Sequence, residues 1–197
     1  MEAFRNAVAA GALVLAIVGF VPYIWAIWRD RNKADGVKPS QTSWIIWFTL
    51  TTLTAGGMYQ AGTLNGQMAV YVIGDAIVVP MALLWGVRNW KPLDFACLGG
   101  AALGLIFWAA TSNPLFGIVI GMSITTIGSI PTFVKTWHHP EQEPTTAWVI
   151  AASTSALQSL AIPALTWEDT IAPLTYLVIQ VFVCGLIFLR PRRLAPA

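Results

Sequence analysis

Asp75 is the residue of this sequence whose type and surroundings point most directly to chemistry. It is the only charged residue between Lys38 and Arg88. A carboxylate near the middle of a membrane span costs about 2.5–3.5 kcal/mol on insertion scales, so it should face protein or water rather than lipid. Such a group can bind a cationic solute, take up and release a proton, or hold helices together by hydrogen bonding to a hydroxyl.

Gln180 is a second polar residue inside an apolar stretch, and its surroundings resemble those of Asp75. Tyr71 lies four residues before Asp75, and Tyr176 lies four residues before Gln180. Residues four apart share one face of a helix, so each tyrosine should point the same way as the polar residue that follows it. The four side chains form a candidate substrate-binding set. The alternative for each tyrosine is an aromatic anchor at the membrane interface.

The elements that hold these residues must be apolar helices. The chain is 56% hydrophobic and 10% charged, which is too little charge to cover a soluble domain. Crossing the hydrocarbon core takes about 20 mostly apolar residues. The sequence therefore predicts an all-α integral membrane protein with seven transmembrane helices. The predicted segments are 8–28, 43–60, 68–87, 95–112, 115–135, 145–165 and 171–189.

The basic residues predict the orientation of these segments. With seven spans, ten of the eleven lysines and arginines fall on one side, and only Arg5 falls on the other. Because basic loops stay in the cytoplasm, we expect a plasma (bacterial inner) membrane protein with its N-terminus outside and its C-terminus in the cytoplasm. The ten are Arg29, Arg31, Lys33, Lys38, Arg88, Lys91, Lys135, Arg190, Arg192 and Arg193.

Three features recur in the same order in the two halves of the chain. In each half, a glycine is followed by a proline three residues after it and by a tryptophan nine residues after it. A second tryptophan and a tyrosine come later in each half. This order predicts a duplication: a first three-helix repeat at 1–90, a linking helix at 91–114 and a second repeat at 115–197. One linking helix gives the repeats the same orientation, so they are parallel. The matching residues are Gly19 and Gly128, Pro22 and Pro131, Trp28 and Trp137, Trp44 and Trp148, and Tyr71 and Tyr176.

Residues 130–137, which read Ile-Pro-Thr-Phe-Val-Lys-Thr-Trp, resemble the first-helix signature of the SWEET, SemiSWEET and PQ-loop superfamily of membrane transporters. The plan of three helices, a linker and three helices is similar too. The resemblance implies alternating access, with Pro22 and Pro131 as hinges or gates. Static kinks are the alternative for both prolines. The resemblance also implies a sugar-like solute. Asp75 and Gln180 take the places of the asparagine pair that binds sugar in that family, and Tyr59 is nearest to the position of the family's binding tryptophan.

Two function classes remain open on the sequence. One is a small-solute transporter, either proton-coupled or specific for a cationic, zwitterionic or sugar-like solute. The other is a non-transporting receptor or accessory subunit of a larger membrane complex. The expected partners are a solute, membrane lipids and either a second copy or that larger complex, with no nucleic acid.

An enzyme is not expected, because only one acid lies within a span and both histidines lie in a loop. No cofactor is predicted. The loop that contains His138, His139, Glu141 and Glu143 is expected to be solvated rather than to bind a metal. Trp44 and Trp148 are expected to anchor helices at the lipid headgroups.

Overall fold

The structure is a computed structural model that describes residues 2–33, 36–88 and 90–189. Within these ranges the chain is helical and has no β-strand; an isolated bridge joins Ser40 to Val87. The basic residues predicted for the C-terminal tail, Arg190, Arg192 and Arg193, lie outside the described residues. The helices are α1 (Glu2–Asp30), α2 (Gln41–Ala61), α3 (Gly66–Trp85), α4 (Pro92–Thr111), α5 (Pro114–Gly128), α6 (Ile130–His138), α7 (Thr145–Leu160) and α8 (Trp167–Leu189), with a 3-10 turn at Pro140–Gln142.

Five of the helical segments are long and apolar enough to cross a membrane. They are α1, α3, α4, α8 and the 25-residue segment Pro114–His138, in which α5 and α6 follow one another across Ser129. The prediction of an all-α protein with membrane-compatible helices is therefore confirmed. The fifth segment, predicted as one continuous helix, is broken only at Ser129. This residue keeps a right-handed helical conformation (φ −81°, ψ −14°), and its N–H donates to the Thr125 carbonyl at 3.0 Å.

The two remaining segments fall short of that standard for different reasons. Helix α2 has 21 residues and is free of Asp, Glu, Lys and Arg, but serine and threonine side chains lower its hydropathy. Eleven of its residues are buried, so much of α2 faces protein rather than lipid and does not need an apolar surface. Helix α7 ends at Leu160 after 16 residues, and the prediction that it continues to residue 165 is wrong.

Local sequence signals fix several helix ends. The Asn65 side chain accepts a hydrogen bond from the Met68 backbone N–H at 2.9 Å and caps α3. Asn113 caps α5 in the same way, and Pro114 occupies the first turn, where its missing N–H costs little. At the end of α2, Gly62 adopts φ 72°, a left-handed conformation that glycine adopts without strain.

The helices pack in two groups that share one long interface. Helix α3 packs against α1 and α2, and α8 packs against α5 and α7. Between the groups, α2 packs against α5 and α1 packs against α7. Helix α4 lies on the outside of α2 and α5. This arrangement leaves the polar faces of α3 and α8 directed toward the space between the groups.

Candidate solute-binding site

A cavity of about 120 Å³ lies between the two groups of helices. Its walls come from α1, α2 and α3 on one side and from α5, α7 and α8 on the other. The structure brings four predicted residues together here. The described residues that line it are Leu15, Ala16, Gly19, Phe20, Tyr23, Trp44, Trp47, Thr51, Tyr71, Asp75, Thr125, Ser129, Ala147, Trp148, Ala151, Thr154, Tyr176, Ile179 and Gln180.

Asp75 contributes a buried carboxyl group to this cavity. The residue is 6% exposed, and the Thr51 hydroxyl on α2 lies near its carboxyl. In the described part of the chain, none of the ion pairs formed by lysine, arginine or histidine includes Asp75. The acid therefore lies beside a neutral hydroxyl, and no cationic side chain in the described ranges pairs with it.

Gln180 belongs to a hydrogen-bonded group at the centre of the cavity wall. Its amide oxygen accepts a bond from the Tyr71 hydroxyl at 3.0 Å, and its amide nitrogen donates to the Ala151 carbonyl at 2.8 Å and the Ser155 hydroxyl at 2.6 Å. This amide orientation satisfies both ends of the group. Tyr71 and Gln180 are 109 residues apart in sequence, so this bond connects α3 to α8.

Gln67 extends the same network along α3. Its amide nitrogen lies 3.0 Å from the Tyr71 hydroxyl and 2.6 Å from the Ser155 hydroxyl. Gln67 is 2% exposed and Ser155 is fully buried. Because an unpaired amide or hydroxyl is costly in this setting, these bonds fix the orientation of Tyr71.

The two predicted tyrosines contact each other. The rings of Tyr71 and Tyr176 meet edge to face, with centroids 5.0 Å apart and an interplanar angle of 90°, an arrangement that aromatic rings favour. The Tyr176 hydroxyl lies 3.2 Å from the Thr51 hydroxyl. The Phe20 ring also meets the Tyr71 ring edge to face, with centroids 6.0 Å apart. A Cβ on Gly74 would overlap the Phe20 ring, so glycine at this position allows α1 and α3 to approach.

Four aromatic side chains line both this cavity and a second, smaller one, and so form a layer between the two: Tyr23, Trp44, Trp47 and Trp148. The Trp44 indole N–H donates to the Tyr23 hydroxyl at 3.2 Å. A second cavity, of about 20 Å³, lies on the other side of this aromatic layer and is also lined by Lys135 and Glu143. The expectation that Trp44 and Trp148 act as headgroup anchors does not describe their positions, because both line the cavity and Trp44 is 8% exposed.

Glu143 is buried, contrary to the expectation of a solvated loop. It is 7% exposed; one carboxylate oxygen accepts a bond from Lys135 at 2.9 Å and the other from the Trp148 indole N–H at 2.8 Å. The carboxylate thus connects the loop after α6 to the start of α7, next to the aromatic layer.

The two predicted hinge prolines lie in different local structures. Helix α1 continues through Pro22, which cannot donate the backbone hydrogen bond expected at that position. Pro131 lies in the first turn of α6, just after the interruption at Ser129; its side chain lies outside what the structure describes. Gly19 and Ser129, which precede the prolines by three and two residues, both line the cavity.

Tyr59 is not part of the cavity. Its side chain is 77% exposed, near the C-terminal end of α2. Conversely, sequence reasoning missed Thr51, Ser155, Gln67 and Trp47 as site residues. Thr51 and Ser155 follow the matched tryptophans Trp44 and Trp148 by seven residues each, so a longer comparison of the two halves contains a signal for them. The sequence signal for Gln67 is weaker: it lies one helical turn before Tyr71.

Comparison of the chain with protein-family models, curated protein sequences and solved structures finds no match.

Proposed function

We propose that this protein is a small-solute transporter that works by alternating access between two three-helix bundles. The first bundle comprises α1–α3, and the second comprises α5 and α6 as one segment, α7 and α8; α4 links them. The observation that supports the proposal most strongly is the cavity between the bundles, in which a buried carboxylate and amide face the same space. Intramembrane ionisable groups mark solute or proton pathways by default.

The packing of the helices supports a parallel repeat. Exchanging the bundles converts the α2–α5 contact into the α7–α1 contact, and both contacts occur. The same exchange relates the α3 contacts with α1 and α2 to the α8 contacts with α5 and α7. Two related bundles with a site at their interface suit a rocking motion around a central solute. Pro22 and the interruption at Ser129 are the proposed points of bending.

The aromatic layer is the proposed barrier on one side of the solute. By the distribution of basic residues, this is the cytoplasmic side of a plasma membrane, with the N-terminus outside. Tyr23, Trp44 and Trp47 come from the first bundle and Trp148 from the second. Relative motion of the bundles would separate Trp148 from the other three and connect the two cavities.

Uptake into liposomes tests the proposal. The wild-type protein is expected to give saturable uptake of one class among radiolabelled sugars, amino acids and organic cations, measured with and without an inward proton gradient. In the Asp75→Asn variant, uptake is expected to fall at least about tenfold or to stop responding to the proton gradient. The reason is that the amide can neither pair with a cation nor release a proton.

Asp169→Asn is the matched control, because Asp169 lies in the first turn of α8 and bonds to Thr166. It is expected to transport like the wild type. Saturable uptake that is the same in Asp75→Asn and wild type would remove Asp75 from the mechanism. No uptake of any solute by folded wild-type protein would contradict transport and favour a receptor or accessory subunit.

A further inference from the structure

The charge of the cavity restricts the solutes that it can bind. Of the nineteen lining residues in the part of the chain that the structure describes, Asp75 is the only charged one. An ionised carboxylate that is buried beside a hydroxyl alone is poorly compensated. A solute that brings a positive charge supplies the missing partner, whereas an anionic solute adds repulsion.

Aromatic rings make up much of the rest of the wall. Seven of the nineteen lining residues are aromatic, and they surround the space that Asp75 faces. The face of an aromatic ring is electrically negative, so ammonium groups bind over it, and sites for quaternary ammonium ions are built in this way. The seven are Phe20, Tyr23, Trp44, Trp47, Tyr71, Trp148 and Tyr176.

Trp47 provides an independent observation about the ligand. Its indole nitrogen is buried and has no hydrogen-bond partner within the described ranges of the chain, although Trp47 lines the cavity. The indole N–H only donates, and a buried donor without a partner is costly. The nitrogen is closed to water in this conformation, so a solute oxygen that accepts this bond would satisfy it only after the ring turns the N–H toward the cavity. Trp44 and Trp148, the other lining tryptophans, donate to Tyr23 and Glu143.

The cavity is small. Its volume of about 120 Å³ favours a compact solute.

We infer that the solute is a small organic ammonium ion that also carries a hydrogen-bond acceptor, with the ammonium facing Asp75 and the aromatic rings and the acceptor facing the Trp47 indole N–H. This inference rests on the proposed function in taking the cavity as the solute site. It narrows the solute to one chemical class and assigns Trp47 a part in recognition.

Direct binding to purified protein in detergent tests the inference with three compounds of nearly equal shape. Choline carries the ammonium and a hydroxyl acceptor, propyltrimethylammonium lacks the hydroxyl, and dimethylbutanol replaces the ammonium nitrogen with carbon. Isothermal titration is expected to show the tightest binding for choline. Propyltrimethylammonium should bind about fivefold more weakly than choline, because it lacks one hydrogen bond. Dimethylbutanol should bind at least about thirtyfold more weakly than choline, because it lacks the positive charge.

Two variants assign these differences to residues. Trp47→Phe keeps a ring but removes the N–H, so it should bind choline and propyltrimethylammonium equally. Asp75→Asn should reduce the affinity for both ammonium compounds by at least about thirtyfold. Trp25→Phe is the control, because Trp25 is 57% exposed and stacks on Trp28 outside the cavity; it should bind like the wild type.

Several outcomes would overturn the inference: dimethylbutanol binding as tightly as choline, no binding of either ammonium compound, or an unchanged ratio in Trp47→Phe. If Asp75→Asn does not fold, the three compounds on wild-type protein and the Trp47→Phe ratio still decide. Binding and flux separate the two proposals. Ammonium binding without uptake would contradict transport and leave the inference about the solute intact. Saturable uptake of neutral solutes alone would support transport and contradict the inference about the solute.

Discussion

Gly57→Leu is expected to destabilise the protein by about 3 kcal/mol, at the upper end of the cost of overpacking a core. A Cβ on Gly57 would lie 2.8 Å from the Pro114 carbonyl oxygen and 3.3 Å from the Ile118 backbone nitrogen. Backbone atoms cannot turn aside as a side chain does, so α2 and α5 would have to separate. Small residues permit this kind of close helix approach within membranes.

Thermal unfolding in detergent measures the effect of Gly57→Leu. A loss of this size should lower the apparent melting temperature by about 6–12 °C for a chain of this length. Because α2 and α5 join the two bundles, uptake should also fall at temperatures at which the variant is still folded.

Gly99→Leu is the matched control for helix propensity. Gly99 lies in α4, and a Cβ there would meet no atom within 4 Å. Leucine is a better helix former than glycine by about 1 kcal/mol, so this variant should melt at or slightly above the wild-type temperature. Equal melting temperatures for the Gly57 and Gly99 variants would show that the α2–α5 contact is looser than the structure describes.

The parts of the fold that could be predicted are those specified locally or by repetition. Asn113 followed by Pro114 predicts a helix start, because an asparagine cap and a proline in the first turn depend only on neighbouring backbone atoms. The matched spacing of Tyr71 and Asp75 with Tyr176 and Gln180 predicts a shared face in each half. Their meeting across the molecule also needs the two bundles to face each other, which the spacing alone does not specify.

Other parts depend on packing that hydropathy does not report. Trp44 and Trp47 are of the residue type that anchors helices at the membrane interface. They line a cavity only because α2 lies inside the protein. Tyr59 lies on the same helix but on a surface that leaves it exposed. The interruption at Ser129 spans a single residue and has no hydropathy signal of its own; the proline two residues later is the local signal for it.

Lys135→Met is expected to destabilise the protein by about 2 kcal/mol. The Glu143 side chain is only 4% exposed. Without Lys135, the Trp148 indole N–H is the remaining described partner of its carboxylate. Removing one member of a fully buried ion pair costs about 3–5 kcal/mol. The smaller value is expected here because Lys135 is 29% exposed, and water already compensates part of its charge.

Glu143→Gln should cost about 1 kcal/mol, since glutamine can still accept the Trp148 bond and the Lys135 ammonium can turn toward water. The double variant Lys135→Met/Glu143→Gln should therefore be more stable than Lys135→Met alone. Thermal unfolding of the four proteins measures this asymmetric cycle. If Glu143→Gln costs as much as Lys135→Met and the two losses add, the carboxylate does not depend on Lys135 for its burial.

The same pair should control access to the aromatic layer. Ser43 is 2% exposed and lines the smaller cavity beside Glu143. In a Cys97→Ala/Cys184→Ala background, Ser43→Cys should react slowly with a water-soluble thiol reagent. It should react about thirtyfold faster when Lys135→Met is added, because the expected loss of about 2 kcal/mol raises the population of an opened state by that factor, at about 1.4 kcal/mol for each tenfold. An unchanged rate in a folded variant would mean that the ion pair contributes to stability without holding this end of the cavity closed.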